Sequence, residues 1–421
     1  MMKPSIKGAW PAAAGSRGRG VIVAIDVARV RADTPGCENA LHLNNAGASL
    51  SPRAVVERVK AHLDLEAAMG GYEAADSAAE ESERVYRSIA GMLGCAAEEI
   101  ALVESATRAW DAAFYALAER FEPGDKILTA ANEYVSNYLA FLQVARKRGV
   151  DIVVVPSEEG GEISLTALEA AIDQHGQRVN LIALTHVPSN GGLVQPAAAV
   201  GHIARANRVP FLLDACQSAG QMPLDVEELG CDMLSATGRK YLRGPRGTGF
   251  LYVRRSLVEQ LEPTPLDMRS ATWTARDQYE VRKDARRFET WESSLACRLG
   301  LGVAVEYARA VGLEDIAERV TMLAEQLRDD LAGIAGVTMR DLPGDGSRKR
   351  CGIVTFTHER HAAHAIFERM RERRINVRVT PVGSTRIDME ERGLTEMVRA
   401  SVHYYNTEGE LGRFARAIRD L

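Results

Sequence analysis

The sequence predicts an α/β protein: a large, mostly parallel seven-stranded sheet domain followed by a small α+β C-terminal domain. Three observations predict it. Seven short apolar runs recur along the middle of the chain, namely EIALVES, DKILTAA, DIVVVP, NLIALTHV, PFLLDAC, DMLSAT and GTGFLYV. Between most of the early ones lie helical segments, among them RAWDAAFYALAERF, NYLAFLQVARKRG and QPAAAVGHIARANR. Runs apolar on both faces and separated by helices require a largely parallel sheet covered on two sides. The chain has 421 residues, more than one core usually serves, which predicts the second domain.

Taken in order, residues 1–40 are rich in Gly, Ala, Arg and Pro and read as an N-terminal arm. Within it VIVAIDVARV is a short apolar run, read as a strand or part of the arm, without the cleavage pattern of an export signal. PRAVVERVKAHLDLEAAM and SAAEESERVYRSIAGML carry apolar residues three and four apart and predict amphipathic helices. The seven runs follow. Connections shorten around residues 232–254, which predicts an antiparallel strand among the late ones. One long helical stretch from about Ser294 to Ile334 passes through Gly312. After it GIVTFTH, a helix, INVRVT, VRASVHYY and the closing helix ELGRFARAIRDL suggest the small domain. The expected division is therefore 1–40, 41–300 and 301–421.

Composition narrows the function. A formal charge of −5, from 52 basic and 57 acidic side chains, gives no reason to expect nucleic acid or anionic lipid as partner. No stretch approaches the ~20 uncharged apolar residues of a membrane helix, so a soluble protein is expected. Six scattered cysteines without a CxxC pair argue against a disulfide scaffold or cysteine-rich metal site and for a cytoplasmic location. His358, His361 and His364 lie three apart in HERHAAHAIFERMRERR, and read as a solvated helix start rather than a metal site.

In open α/β sheets ligands bind beyond the carboxyl ends of the strands. Four apolar runs end in polar groups: SAT at 105–107, HVPSN at 186–190, DACQ at 214–217 and SATGRK at 235–240. Together they supply an acid, a lysine, an amide, an imidazole and a phosphate-sized donor site. Pyridoxal phosphate needs that set: a Schiff-base lysine, a carboxylate for its ring nitrogen and a phosphate cradle.

The ordered fragments NNAG (44–47), SATRAW (105–110), NEY (132–134), HVPSN, DACQ, TGRKYLRGPRGTGFLYV (237–253) and VRASVHYYN (398–406) carry a resemblance. Over residues 41–421 the chain resembles the class V aminotransferase family of fold-type I pyridoxal-phosphate enzymes. That family includes cysteine desulfurases, selenocysteine lyases, isopenicillin-N epimerase, kynureninase and the sulfoxide lyase of ergothioneine synthesis. The resemblance implies Lys240 as the Schiff-base lysine, Asp214 as partner of the pyridine nitrogen, and Gln217 as a bond to the ring oxygen. Thr237 and Arg239 would contact the phosphate, together with Ala106 and Thr107, whose helix start offers free N–H groups and a positive dipole end. Tyr134 would stack on the ring, His186 would lie near the ring oxygen, and one or other of the two would be the acid for the sulfur leaving group. Arg399 would grip the substrate α-carboxylate, a task suited to a forked guanidinium. Asn44, Ala46 and Gly47 would line the same pocket. Arg386 is a looser candidate for a substrate acid group, and Tyr72 for a contact across the interface of the expected homodimer.

Two departures shape the functional expectation. Desulfurases need a nucleophilic cysteine in the loop before the final strands, and TPVGSTRIDMEERGL (380–394) has none. Cys351 lies earlier, in an apparent strand, and Cys216 reads as a small buried residue. FETWESS (288–294) carries a glutamate and a tryptophan where the family often has a threonine reaching the partner subunit's phosphate. These features look most like the ergothioneine sulfoxide-lyase branch. They imply β-elimination from a small-molecule amino acid, a cysteine-derived conjugate or its sulfoxide, giving a sulfur species, pyruvate and ammonia. An epimerase or aminotransferase of the isopenicillin-N-epimerase type is the alternative, because the same residues serve all three routes.

Overall fold

All seven apolar runs become strands of one sheet in a computed structural model of the chain, which describes residues 25–343, 346 and 350–421. They are β1 (Ile100–Val103), β2 (Lys126–Ala130), β3 (Asp151–Val155), β4 (Val179–Thr185), β5 (Phe211–Asp214), β6 (Met233–Thr237) and β7 (Gly249–Val253). Their spatial order is β1-β7-β6-β5-β4-β2-β3. Only β7 runs against its neighbours, as the short connections around 232–254 predict. Every residue of β1, β5, β6 and β7 is buried, which is why those runs are apolar on both faces. The strand period of two divides β4 between two cores. Leu181 and Ala183 join Trp110, Phe114 and Phe141 on one face, while Ile182 and Leu184 join Tyr86 and Ile89 on the other. At the edge, β3 exposes Asp151, which pairs with Lys126 of β2, and charge there discourages edge-to-edge pairing.

The long helical stretch breaks at Gly312, contrary to the reading that carried it through. Helices Leu295–Val311 and Leu313–Ala332 meet where Gly312 takes φ +101°. The break lets the first pack on helices Arg53–Met69 and Ala79–Leu93, while the second packs on the closing helix Glu408–Arg419 and the small sheet. That sheet comprises β8 (Val337–Met339), β9 (Ile353–His358), β10 (Arg378–Pro381) and β11 (Glu396–Ser401), antiparallel throughout in the order β8-β9-β11-β10.

Two further expectations are corrected. In VIVAIDVARV, residues 21–24 lie outside the described residues, and Val27–Ala32 form a short helix rather than a strand. Asp26 caps it by accepting the Arg29 N–H at 3.0 Å, a role aspartate favours over strand pairing. Of the three histidines, His358 ends β9 and His361 lies in the turn, so only His364 belongs to the helix Ala363–Glu372. A two-stranded hairpin, Ala271–Ala275 with Gln278–Val281, escaped notice because its strands are short and largely exposed. No helix among the described residues is long and apolar enough to cross a membrane.

What positions the site is the segment entering from residue 41. Leu41–His42 pairs in parallel with Ile375–Asn376, and Asn44 bridges to Ser401 at the end of β11. Residues 44–47 are thereby held between the small sheet and the carboxyl ends of the large one.

Candidate active site

Asp214 is the last residue of β5, and its carboxylate is fixed on both oxygens. Oδ1 accepts the Cys216 N–H at 2.8 Å, and Oδ2 accepts the Asn137 amide at 3.0 Å. The neighbouring β6 ends at Thr237, and a tight turn then presents Lys240. Within that turn Gly238 N–H donates to Thr248 O at 3.0 Å and Gly244 N–H to Gly238 O at 2.7 Å. A Cβ on Gly238 would lie 2.3 Å from Thr248 Oγ1, so the turn needs a residue without one. Lys240 is buried, and burial lowers its pKa against the opposing pull of Cys216 and Asp214. Tyr134 stands at the start of helix Val135–Arg148, with its ring centroid 6.0 Å from Lys240 Nζ.

One cleft is walled by these groups, by Ser105–Thr107, and by Asn137, Cys216, Thr237 and Arg239. Ser105 caps helix Ala106–Ala118 through a 3.2 Å bond from the Arg108 N–H, so the first-turn N–H groups of Ala106 and Thr107 have no helical carbonyl to meet. A Cβ on Gly249 would sit 2.7 Å from the Ser105 carbonyl carbon and 2.9 Å from Ala106 N. Glycine there lets β7 lie directly against the helix start.

The loop at 44–47 closes one side. Ala46 N–H donates to Ser401 Oγ at 2.9 Å, Ala46 O accepts Gln217 Nε2 at 3.1 Å, and Gly47 O accepts the Arg239 guanidinium. Asn44 Oδ1 and Gln217 Oε1 are buried with no hydrogen-bond partner among the described residues. Arg399, on β11, is buried too. Its Nη1 donates to Ser189 O at 3.0 Å, its Nε has no partner, and no carboxylate among the described residues pairs with it. Burial pulls its pKa down to about 10, with the charges of Arg378 and Arg239 adding to the effect. A buried guanidinium with an empty donor edge invites an anion. Replacing Arg399 with alanine is therefore expected to raise the substrate KM roughly 10- to 100-fold, the value of a charge-assisted bond, with a smaller change in kcat. Steady-state kinetics check this.

Three expected residues lie elsewhere. His186 turns Nδ1 to Ser218 Oγ at 3.0 Å and lines a neighbouring cavity with Gln195 and Met222, outside the Lys240 cleft. Arg386 is 63% exposed and ion-paired with Glu390 at 2.6 Å. Tyr72 is exposed. Neither departure segment supplies a reactive thiol. Burial, then the Asp214 charge, pushes the Cys216 pKa well up, and burial pushes that of Cys351 up to about 12. In FETWESS, Glu289 is buried and accepts from Tyr86, the Leu102 N–H and Arg269. Thr290 donates to Glu104 Oε1 at 3.0 Å. Asn137 and Glu133 were missed. Their four-residue spacing in NEYVSN, one helical turn, was the available signal.

Arg243 anchors the lysine turn. Its N–H donates to Lys240 O at 2.9 Å, and its fully buried guanidinium donates to Leu50 O at 2.8 Å, Tyr404 Oη at 2.6 Å and Thr34 Oγ1. The rings of Tyr307, Tyr404 and Tyr405 lie 4.6–5.6 Å from it. Arg243→Ala is expected to cost about 3 kcal/mol of stability, because it orphans several buried acceptors and the ring faces. Urea unfolding checks it by a lowered midpoint at unchanged slope.

The residues present fit pyridoxal phosphate: a buried amine with no ion pair among the described residues, a doubly fixed carboxylate, unpartnered amide oxygens and a helix start whose first N–H groups meet no helical carbonyl. A site of this composition at the carboxyl ends of a mostly parallel seven-stranded sheet defines a fold-type I pyridoxal-phosphate-dependent enzyme. The model of the family Aminotransferase class-V matches residues 41–414, and the chain belongs to that family.

Its relatives agree. The chain is 28% identical over 401 residues to a probable cysteine desulfurase of Methanothermobacter thermautotrophicus, covering 93% of this chain and 97% of that one. It is 26% identical over 414 residues to a cysteine desulfurase of Pectobacterium atrosepticum, covering 94% and 98%. Among solved structures, the apo cysteine desulfurase of Thermococcus onnurineus superposes with a TM-score of 0.86 at 25% identity, covering 94% and 98%. The cystine C–S lyase C-DES, in complex with its reaction product cysteine persulfide, shares the fold with a TM-score of 0.82 at 23% identity, covering 92% and 99%.

Proposed function

We propose that the protein is a C–S lyase that eliminates the β-substituent of a cysteine-derived conjugate or its sulfoxide. The observation that carries the reading is a Lys240–Asp214 cleft in a chain whose 380–394 loop lacks the cysteine a desulfurase uses there. Cys216, half-buried in the cleft wall, has its thiol pKa raised by desolvation and by the Asp214 charge, and Cys351 is buried away from the cleft with its pKa pushed up to about 12.

Pyridoxal phosphate, when bound, supplies an electron sink for the pair left at the substrate α-carbon. The chain's residues do the rest. Ala106, Thr107, Thr237 and Arg239 would hold the phosphate, Asp214 would keep a proton on the ring nitrogen, and Gln217 would meet the ring oxygen. Arg399 grips the α-carboxylate, with Asn44, Ala46 and Gly47 closing the pocket around it. Lys240, its basicity moderated by burial, takes the α-proton as general base. The C–S bond then breaks with its electron pair on sulfur. Tyr134, rather than His186, donates the proton to that sulfur, since its ring stands beside Lys240. A thioether substituent leaves as a thiol and a sulfoxide as a sulfenic acid. Water converts the remaining aminoacrylate to pyruvate and ammonia.

The enzyme works as a cytoplasmic homodimer in this reading, with residues 41–300 holding the cofactor and 301–421 the small domain. Support for the dimer comes from the exposed Tyr72, Leu139, Trp273 and Tyr279, large side chains that a partner subunit would cover. Mass spectrometry of the intact protein after turnover tests the thiol argument. An unchanged mass is expected, and a gain of one sulfur atom on a cysteine would instead indicate a desulfurase.

A further inference from the structure

One buried acid beside the cleft has no part in this chemistry. Glu133 immediately precedes Tyr134 and is 3% exposed. Donors converge on both of its oxygens. Oε1 accepts the Tyr134 N–H at 2.8 Å, Asn137 Nδ2 at 2.8 Å and the Thr185 hydroxyl; Oε2 accepts the Thr185 N–H at 3.1 Å and the Thr129 hydroxyl at 3.2 Å. No lysine or arginine among the described residues forms an ion pair with it. So many donors around one carboxylate make an arrangement that alanine or a shorter acid cannot reproduce.

The donors are not incidental to the site. Tyr134 carries the ring beside Lys240. Thr185 pairs in register with Asp214 across β4 and β5. Asn137 is the decisive link, because the same Nδ2 that donates to Glu133 also donates to Asp214 Oδ2 at 3.0 Å. Both neighbours are carboxylates, so the amide nitrogen, not its oxygen, must face them, and its orientation is fixed by having two acceptors. Burial raises the Glu133 pKa, and the Asp214 charge adds to that, which marks the two acids as neighbours in one low-dielectric region.

We infer that Glu133 is a positioning residue for the cofactor site, holding Asn137 so that Asp214 keeps its aim at the ring nitrogen while fixing the backbone of Tyr134. The inference rests on the reading of Asp214 as partner of that nitrogen. With Glu133 altered, Asn137 is free to turn, and Asp214 loses a donor and a direction together.

The test uses holoenzyme loaded with pyridoxal phosphate labelled with 15N in the ring, and reads the ring-nitrogen chemical shift at fixed pH. Four proteins are compared: wild type, Glu133→Gln, Asn137→Ala and Asp214→Asn. Glu133→Gln keeps the shape but sets an amide among donors, Glu133→Asp takes its place if that variant does not fold, and Asn137→Ala removes the link without touching the acid. The expected result is a shift toward the unprotonated ring in all three variants, with kcat lowered about tenfold in the first two and KM little changed. If only Asp214→Asn moves the signal, or Asn137→Ala moves it while a folded Glu133→Gln does not, the inference about Glu133 is overturned and the reading of Asp214 stands. If Asp214→Asn leaves the signal in place, the reading of Asp214 fails and the inference falls with it.

Discussion

Replacing Lys240 with alanine is expected to leave a folded protein whose turnover falls by about four orders of magnitude, the upper range for a positioned proton-transfer group. The turn that carries Lys240 is held by backbone bonds at Gly238, Gly244 and Arg243 and by the Arg243 side chain, none of which uses the lysine amine. Truncation therefore removes a functional group without removing a support. Burial of the amine depresses its pKa, so the neutral form able to take a proton is more accessible than in an exposed lysine. Among the described residues that line the cleft, none but Lys240 carries an amine. Borohydride reduction of the loaded wild type is expected to fix the cofactor on the peptide containing Lys240. The alanine variant is expected to release it on denaturation. A variant within tenfold of wild type would assign the base elsewhere.

Asp214→Asn is the second large effect, expected to lower kcat about a thousandfold with the fold intact. The carboxylate accepts from Cys216 N–H and from Asn137 on separate oxygens, and the single oxygen of asparagine can keep only one of those bonds. What asparagine cannot supply is the charge that holds a proton on the ring nitrogen. Loss of roughly two to three units of proton affinity there corresponds to about 3–4 kcal/mol. Pre-steady-state kinetics should place the loss on α-proton removal, with substrate binding through Arg399 preserved. A loss confined to KM would contradict the assigned role.

The large sheet was legible in the sequence because strands buried on both faces cannot tolerate polar residues. Each run is cut off where β5 meets Asp214 or β6 meets Thr237, and those ends are where chemistry collects. Lys240, Asp214, Thr237, Arg239, Ala106, Thr107 and Tyr134 reach one cleft for that reason. His186 lines a neighbouring cavity: it follows the last residue of β4, Thr185, whose hydroxyl meets Glu133, and turns its own ring to Ser218. Arg386 was also within reach of local reasoning, since RIDMEE places Glu390 one helical turn along as its ion-pair partner. Glu133 and Asn137 were harder. Their meaning depends on Asp214 and Thr185, which are distant in sequence, and only the parallel register of β4 and β5 brings the four together. The helix at Val27–Ala32 and the break at Gly312 were set by a cap and a backbone angle, to which apolar patterning is blind.

The central claim is that the Lys240–Asp214 cleft performs β-elimination without a protein thiol. Product analysis tests it most directly: the loaded protein is mixed with S-substituted L-cysteines and their sulfoxides, and every amino-acid and keto-acid product is quantified. The account predicts pyruvate and ammonia in equal amounts, matching the conjugate consumed, with no product from the Lys240→Ala protein. Alanine formed as sulfur accumulates on a cysteine, or an intact amino acid recovered with its α-carbon inverted, would contradict it.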